Sequence, residues 1–440
     1  MQLSPHSRPK VQPRIIIHGG AGNITKQTIS KQRYAAFEAS LRRILASSAA
    51  LLSIPGATAL DVATFAVSQL EDDELYNSGH GAVFTRAGTN ELECSIMVSD
   101  GYQKRGASCM LLQHVRNPIK LAREILVRGE SDDGGGAQDH CQYSGPYVEQ
   151  LAKEWGLDIV DTEYFWTKGR WEEHQRGLKE DSKKKENGEK KGSGEDGKSG
   201  LSVTEMSDWE KTHYIPLGTC GAVVLDSFGT ICTATSTGGL TNKIPGRIGD
   251  TPSTGTGFWA EEWFEEPKTP MMFQSSSPIS SLLDHISRGN LQSLVGDCFP
   301  NFANGTSNPS NGPLESGFSS KQTSIRHAVG LSGTGNGDTF IRMAAARTVA
   351  AKSRFSSCSL ASATTWMAGP GGELQKSAGD RWGHVHEGVG GIIGIEVVGT
   401  NCAVVSDFNC GGMFRAWVGD DGEHKCLIFR EEDWENGPEK

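Results

Sequence analysis

The chain has 440 residues, with 43 Lys and Arg against 53 Asp and Glu and a formal net charge of -10. That balance gives no sign of a nucleic-acid partner, and the length allows two or three average domains or one large domain carrying long insertions. Its 10 cysteines lack metal-ligand spacing and a small-domain framework, the pattern of reduced thiols in an intracellular, here cytoplasmic, setting. The N-terminal Met1 to Arg14 is basic with no apolar core behind it, so it is not a secretory signal. No later run is long enough to span a membrane.

In chain order, Arg14 to His18 reads as a short apolar strand running into a turn at Gly19-Gly20-Ala21-Gly22. Tyr34, Phe37, Leu41, Ile44, Leu45, Leu51 and Leu52 recur at helical intervals, which predicts an amphipathic helix from Thr28 to about Ser53. A second helix starts at Thr58, where Asp61 offers a capping box, and carries Val62, Phe65, Ala66 and Leu70 on one face. From Lys179 to Gly200 there is no large apolar residue. Such a run buries too little surface to offset its ordering entropy, so a disordered linker is expected over 168–212.

Beyond it, Gly221 to Leu225 and Thr230 to Thr235 are β-rich runs joined by a hairpin signal at Asp226 to Gly229. Residues 264–325 are rich in Ser, Asn, Pro and Gly and read as an insertion, with a short helix around Ile279 to Ile286. Phe340 to Ala351 is Ala-rich and helical. Gly390 to Val398, Asn401 to Asp407 and Met413 to Val418 read as three closing strands. Hairpin strands and blocks of helices favour an α+β fold of two packed antiparallel sheets over a parallel, doubly wound one.

The most telling stretch runs from Leu217 to Pro252, where a Gly218-Thr219 bond is followed by Thr237, Arg247 and Asp250. A threonine hydroxyl inside a chain has no base built in beside it. Cleaving the bond before Thr219 would give it a free α-amine of pKa about 8, able to serve as general base to its own Oγ. Arg247 and Asp250 suit an amino-acid head group, the guanidinium taking an α-carboxylate and the carboxylate an α-ammonium. They lie in a loop punctuated by Pro and Gly, where an ordinary surface salt bridge on a helix is a weaker explanation.

These residues carry a family resemblance. His18-Gly19-Gly20-Ala21-Gly22, Leu70 through Gly79, the stretch around Thr219, and Gly333 through Asp338 occur in the order seen in plant-type L-asparaginases, also called isoaspartyl peptidases. The chain resembles that family of N-terminal-nucleophile hydrolases over most of its length outside the linker and the insertion. The resemblance implies a single domain over 1–440, a four-layer αββα sandwich cut between Gly218 and Thr219 into subunits 1–218 and 219–440. By the same resemblance Thr219 is the nucleophile, Thr237 orients it, Asn77 lies beside its amine, and Thr334 with the Gly335 amide forms the oxyanion hole. Gly335 and Gly337 add main-chain contacts to the head group held by Arg247 and Asp250.

The main-chain carbonyls of Leu70, Glu71, Asp73, Tyr76, Ser78 and His80 match a sodium-holding segment of relatives, and no organic cofactor is expected. A homodimer of processed protomers follows by analogy. Cys220, Cys94 and Asn336 depart from the usual residues and put substrate range in question. The expected activity is hydrolysis of L-asparagine or of β-aspartyl dipeptides. The alternatives are a glycosylasparaginase-like enzyme, a threonine-aspartase-like protease, and an unprocessed interaction scaffold.

Overall fold

In the computed structural model the described residues are 10–138, 140–191, 218–265, 324–430 and 434–435. The chain divides into two units, Met1–Trp263 with Arg326–Lys440, and Phe264–Ile325. Nearly all of the second lies outside the described residues, and with it the helix expected at Ile279 to Ile286.

The first unit begins with strand β1 (Arg14–Gly22), then α1 (Lys31–Leu52) and α2 (Ala59–Glu71), then β2 (Leu92–Val98) and β3 (Gly106–Leu112). Helix α3 (Pro118–Arg128) leads to the short strand β4 (Gln142–Ser144), followed by α4 (Pro146–Glu154) and α5 (Lys168–Lys191). After the Thr219 segment come β5 (Cys220–Leu225), β6 (Ile231–Thr237), β7 (Phe258–Glu265) and β8 (Ile325–Gly335). Helices α6 (Gly337–Met343), α7 (Ala345–Phe355), α8 (Leu360–Ala368) and α9 (Glu373–Ser377) precede β9 (Gly390–Val398), β10 (Asn401–Phe408), β11 (Gly412–Val418) and β12 (His424–Leu427).

These strands form two sheets: eight strands in the order β12-β11-β1-β5-β6-β2-β3-β4, and four in the order β10-β9-β8-β7. The hairpin predicted around Asp226 is present, with Leu225 opposite Ile231. One pair departs from the antiparallel expectation: β4 runs parallel to β3. The chain between them passes through α3, and a crossover of that length is what parallel neighbours require.

Apolar residues explain the packing. Phe37, Leu41 and Ile44 of α1, Val62 and Ala66 of α2, and Ile119 and Ile125 of α3 share one buried cluster with Ile15, Ile17, Ile96 and Val224 of the larger sheet. Ile16, Val223 and Ile231 from its other face cluster with Ile393, Ile395 and Val397 of the smaller sheet. Val349, Leu360 and Met367 of α7 and α8 cluster with Leu331 and Ile392. Alternation along each strand sends neighbouring side chains to opposite faces, so a single strand such as β1 serves two clusters.

Several local expectations change. The expected turn at Gly19 to Gly22 is instead the end of β1, which continues to Gly22 with a register shift between His18 and Gly20. Helix α1 starts later than expected because Ser30 caps it, accepting from the Arg33 amide, while the Thr28 hydroxyl donates to Asn23 O at 2.6 Å. Thr58 caps α2 as predicted, accepting from Asp61 N at 3.1 Å and donating to Asp61 Oδ2 at 2.7 Å. Phe65, expected on the buried face of α2, is 38% exposed; the buried stripe is Val62, Ala63, Ala66, Val67 and Leu70. The Ala-rich helix is broken at Ala344, whose φ of 44° is left-handed, into α6 and α7.

The largest correction is to the linker expected over 168–212, because residues Lys168–Lys191 of it form helix α5. Counting apolar residues missed the anchors. Arg170 is 4% exposed and donates through Nε to Gly81 O at 2.7 Å and through Nη2 to Leu75 O at 3.3 Å. Trp171 packs edge-on against Phe84, and His174 is 2% exposed. Residues 192–212 lie outside the described residues.

Candidate active site

The hairpin of β5 and β6 sets the first two hydroxyls. Cys220 pairs with Ser236 at its mouth, so Thr219 and Thr237, one step further on, face each other across neighbouring strands. Both line a cavity of about 360 Å³. Thr219 is 5% exposed, and its Oγ1 lies 2.9 Å from Thr251 Oγ1. The Thr237 hydroxyl accepts from Gly239 N at 3.0 Å. Thr251 was not anticipated from the sequence, although it directly follows Asp250 in the stretch that drew attention to Thr219.

The other sheet brings Thr334 and Gly335 to the same place at the end of β8. A Cβ built on Gly218 would stand 2.1 Å from Thr334 Oγ1 and 3.2 Å from the Gly335 nitrogen. The residue before the expected cut therefore packs against both expected oxyanion donors, and only glycine fits. Thr334 is fully buried and its oxygen accepts from Ala21 N at 3.2 Å, which leaves its own proton free to point elsewhere. Gly335 has φ of +142°, and a Cβ there would meet Val389 O at 2.3 Å. Gly20, with φ of +118°, lets β1 approach within 2.9 Å of the Gly218 nitrogen, measured from its ideal Cβ.

His18 braces this junction. Its Nε2 lies 2.7 Å from Ser332 Oγ, and a main-chain hydrogen bond to Thr219 is a further contact. Burial pulls the imidazole pKa down to about 3, the Thr219 bond opposing it, so the ring is neutral at any working pH.

Arg247 and Asp250 sit in a loop that β2 holds from below. Gly249 N donates to both carboxylate oxygens of Glu93, each at 3.1 Å, and Gly246 N donates to Glu91 Oε2 at 2.8 Å. Lys243 Nζ is 3.5 Å from Glu93 Oε1 and donates to Glu91 O at 2.8 Å. Burial pushes the Glu93 carboxyl up and the Lys243 ammonium down, each opposed by the charge of the other. Sequence reasoning passed over this buried pair, because nothing near Glu93 in the sequence marks it.

Arg247 Nη2 reaches Asp338 Oδ2 at 3.0 Å, and a Cβ on Gly337 would lie 2.5 Å from Asp250 Oδ1 and 3.0 Å from Arg247 Nη2. The structure thus brings Arg247, Asp250 and Gly337 together, as expected for one recognition site. Asp250 is 5% exposed, its Oδ2 without a hydrogen-bond partner among the described residues. Burial raises its pKa to about 7.

The remaining predicted positions fall around this core. Asn77 is buried beneath the turn after Thr237, donating from Nδ2 to Gly239 O at 2.7 Å and accepting at Oδ1 from Val83 N at 3.0 Å. Asn336 lines the cavity, but its side-chain oxygen caps α6 by accepting from Thr339 N at 3.0 Å and Thr339 Oγ1 at 2.7 Å. Cys94 and Cys220 are both fully buried in the apolar cluster under the larger sheet. Neither is among the cavity-lining residues. Leu70, Glu71, Asp73, Tyr76, Ser78 and His80 form a tight segment in which a Cβ on Gly79 would meet Glu71 O at 2.3 Å and one on Gly81 would meet Tyr76 O at 2.1 Å. No group of His, Cys, Asp and Glu side chains among the described residues could hold a metal ion. Ser78 Oγ donates to Ser236 Oγ at 2.6 Å, which donates to Glu71 Oε1 at 2.7 Å, tying this segment to β6.

Taken chemically, the cavity offers a hydroxyl with a second hydroxyl beside it, two donors on the far side of the Gly218-Thr219 bond, and a guanidinium next to a buried carboxyl. Among the described residues no helix is long and apolar enough to cross a membrane.

A family model described as asparaginase matches residues 11–264. The isoaspartyl peptidase of Escherichia coli (strain K12) is 35% identical over 246 residues, covering 56% of this chain and 67% of that protein. The isoaspartyl peptidase of Salmonella typhimurium is 34% identical over 246 residues, covering 56% and 69%. An isoaspartyl peptidase/L-asparaginase of Xenopus laevis is 32% identical over 251 residues, covering 57% and 67%.

Proposed function

The chain belongs to the asparaginase family whose model matches residues 11–264, and from that premise we propose that it is a self-cleaving amidohydrolase. It hydrolyses L-asparagine to L-aspartate and ammonia and cleaves β-aspartyl dipeptides, the chemistry named for its relatives in bacteria and Xenopus laevis. The observation that carries the reading is the packing of Gly218 against Thr334 Oγ1 and the Gly335 amide, with Thr219 next in the chain.

In processing, Thr219 Oγ attacks the Gly218 carbonyl carbon, the C–N bond breaks, and water hydrolyses the resulting ester. Gly218 becomes a carboxylate and Thr219 a free amine, giving subunits 1–218 and 219–440. That amine then accepts the proton from Thr219 Oγ as the oxygen attacks the substrate's side-chain amide carbon. Thr334 and the Gly335 amide take up the developing negative charge. Ammonia or an amino acid leaves with that proton, and water resolves the β-aspartyl ester. Thr251, 2.9 Å from the nucleophile, and Thr237 hold the Thr219 rotamer. Arg247 and Asp250 hold the head group.

Two further parts of the reading rest on the same premise. The three apolar clusters support a four-layer αββα arrangement, and a dimer of processed protomers is the working assembly. A sodium ion held by main-chain oxygens of the Leu70 to His80 segment, a segment packed so closely that Glu71 O and Tyr76 O lie 2.3 and 2.1 Å from the ideal Cβ positions of Gly79 and Gly81, belongs to the same reading; its part would be to stiffen that segment under β6. N-terminal sequencing of the fragments from the purified protein tests the proposal. A fragment starting at Thr219 is the expected result, and an intact chain that nonetheless turns over asparagine would overturn self-cleavage as the source of the base.

A further inference from the structure

Between Arg247 and Asp250 the backbone of the head-group loop is tied down at Gly249, whose amide donates to both carboxylate oxygens of Glu93, each at 3.1 Å. The ideal Cβ position of Gly249 lies 2.9 Å from Glu93 Oε2 and 2.9 Å from Arg247 Nη1, so the carboxylate and the guanidinium flank the same point. A side chain there would part them. Glu93 is fully buried and still borders the cavity, standing opposite Thr237 across β2 and β6. Downstream the loop has its own anchor, because Asp250 O accepts from Thr256 Oγ1 at 2.8 Å and from Gly257 N at 3.2 Å. Loosening Gly249 therefore reaches Arg247 before it reaches Thr251.

Lys243 makes the second tie. Its Nζ is 3.5 Å from Glu93 Oε1, donates to Glu91 O at 2.8 Å and lies 2.9 Å from the ideal Cβ position of Gly239. Gly239 donates to the Thr237 hydroxyl at 3.0 Å and accepts from Asn77 at 2.7 Å. One buried ion pair thus underlies two turns, the one beside Thr237 and the one that carries Arg247 and Asp250. Such a pair is a poor source of stability, since apolar residues of the same volume often do as well or better. Apolar residues would leave the Gly249 amide and the Glu91 carbonyl without their partners.

We propose that Glu93 is a positioning residue: with Lys243 as its counter-charge, it sets the placement of Arg247 relative to Asp250 and so governs affinity for the amino-acid head group, not the covalent step. The inference rests on the amidohydrolase reading above.

The test compares the processed parent protein, Glu93→Gln, and the double variant Glu93→Gln with Lys243→Met. It measures kcat and KM for L-asparagine, the thermal midpoint, and by calorimetry the Kd for L-aspartate, which carries the same head group. Glutamine keeps the shape, but it offers Gly249 one oxygen and leaves the Lys243 ammonium without its counter-charge. KM and Kd should rise about tenfold with kcat within about twofold of the parent, and the thermal midpoint should fall. In the double variant the uncompensated charge is gone, so the midpoint should recover while KM and Kd stay raised. That separation is what a merely structural pair would not produce. Constants that recover together with the midpoint, constants that never change, or a loss of kcat at unchanged KM each overturn the positioning role; should Glu93→Gln fail to fold, the double variant carries the same comparison. A parent protein that binds L-aspartate without turning over asparagine overturns the amidohydrolase reading, and Kd then decides the positioning role. A parent that does neither overturns both.

Discussion

The arm that carries Thr219 and the arm that carries Thr334 reach the same cavity by different physics. The first, from Thr219 through Thr251, is a hairpin followed by a short loop, with its chemistry-bearing residues close together in sequence. Its charges are fixed by a buried polar network, in which Glu91 and Glu93 accept from the amides of Gly246 and Gly249. The second is a strand of the smaller sheet, placed by its register with β9, where Thr334 lies opposite Gly391 and Gly335 opposite Gly390. On one side Ser332 meets His18, and behind it Phe340 crowds Gly333 and Gly390, whose ideal Cβ atoms would lie 2.4 and 2.6 Å from the ring. A locally folded arm can position side chains that bind. An arm held by sheet pairing and close packing can aim a hydroxyl and an amide at one point, which is what a developing oxyanion requires.

Replacing the nucleophile breaks the first arm most severely. Thr219→Ala should abolish self-cleavage and reduce asparagine turnover by on the order of 10⁴-fold or more, because no other group supplies the covalent step. A denaturing gel and an ammonia-release assay report the two effects, and a cleaved, active variant would remove Thr219 from the mechanism.

Next in size is the second arm. Thr334→Ala removes one donor to the oxyanion and should lower kcat by about 10² to 10³-fold with little change in KM. A loss confined to KM would instead make Thr334 a binding residue and erase the contrast between the arms.

The smallest effect sharpens the first arm's role in recognition. Burial raises the Asp250 pKa to about 7, so the carboxyl is protonated below that pH and charged above it. An α-ammonium needs the charged form. The Thr219 amine, of pKa about 8, already makes kcat/KM for asparagine fall about tenfold per unit below that pH, and Asp250 should steepen the fall toward a hundredfold per unit below about 7. A pH profile of the parent protein against Asp250→Asn checks this. The variant should be weaker throughout and keep only the limb of the Thr219 amine, about tenfold per unit, and a profile as steep as the parent's below pH 7 would assign the second titration to another group.

Much of the larger architecture was legible because periodicity records burial directly. Phe37, Leu41 and Ile44 announced α1, and the strands at Gly390 to Val398 and Asn401 to Asp407 appeared close to where they were read. Boundaries shifted where a side chain competed with the helix, as Thr28 does by bonding Asn23 O. Helix α5 was read as disorder because its docking depends on Arg170 and His174, polar residues that are buried through hydrogen bonds and not through hydrophobicity. No count of apolar residues registers such anchors.

Within the cavity the division is similar. The spacing of Thr219, Thr237, Arg247 and Asp250 lies in one continuous stretch, and the chemistry each type offers can be stated from the side chains alone. Thr251 as neighbour of the Thr219 hydroxyl and the Glu93-Lys243 pair beneath the loop are contacts between residues distant in sequence or turned by the backbone. Sequence by itself thus determined the residue types, the periodic elements and the likeness to a hydrolase family, since these depend on local patterning. Tertiary structure decided which hydroxyl meets Thr219 and why Gly20, Gly218 and Gly335 must lack side chains. Those are outcomes of close packing between segments, and the clash that an added side chain would make there leaves no mark on a one-dimensional pattern.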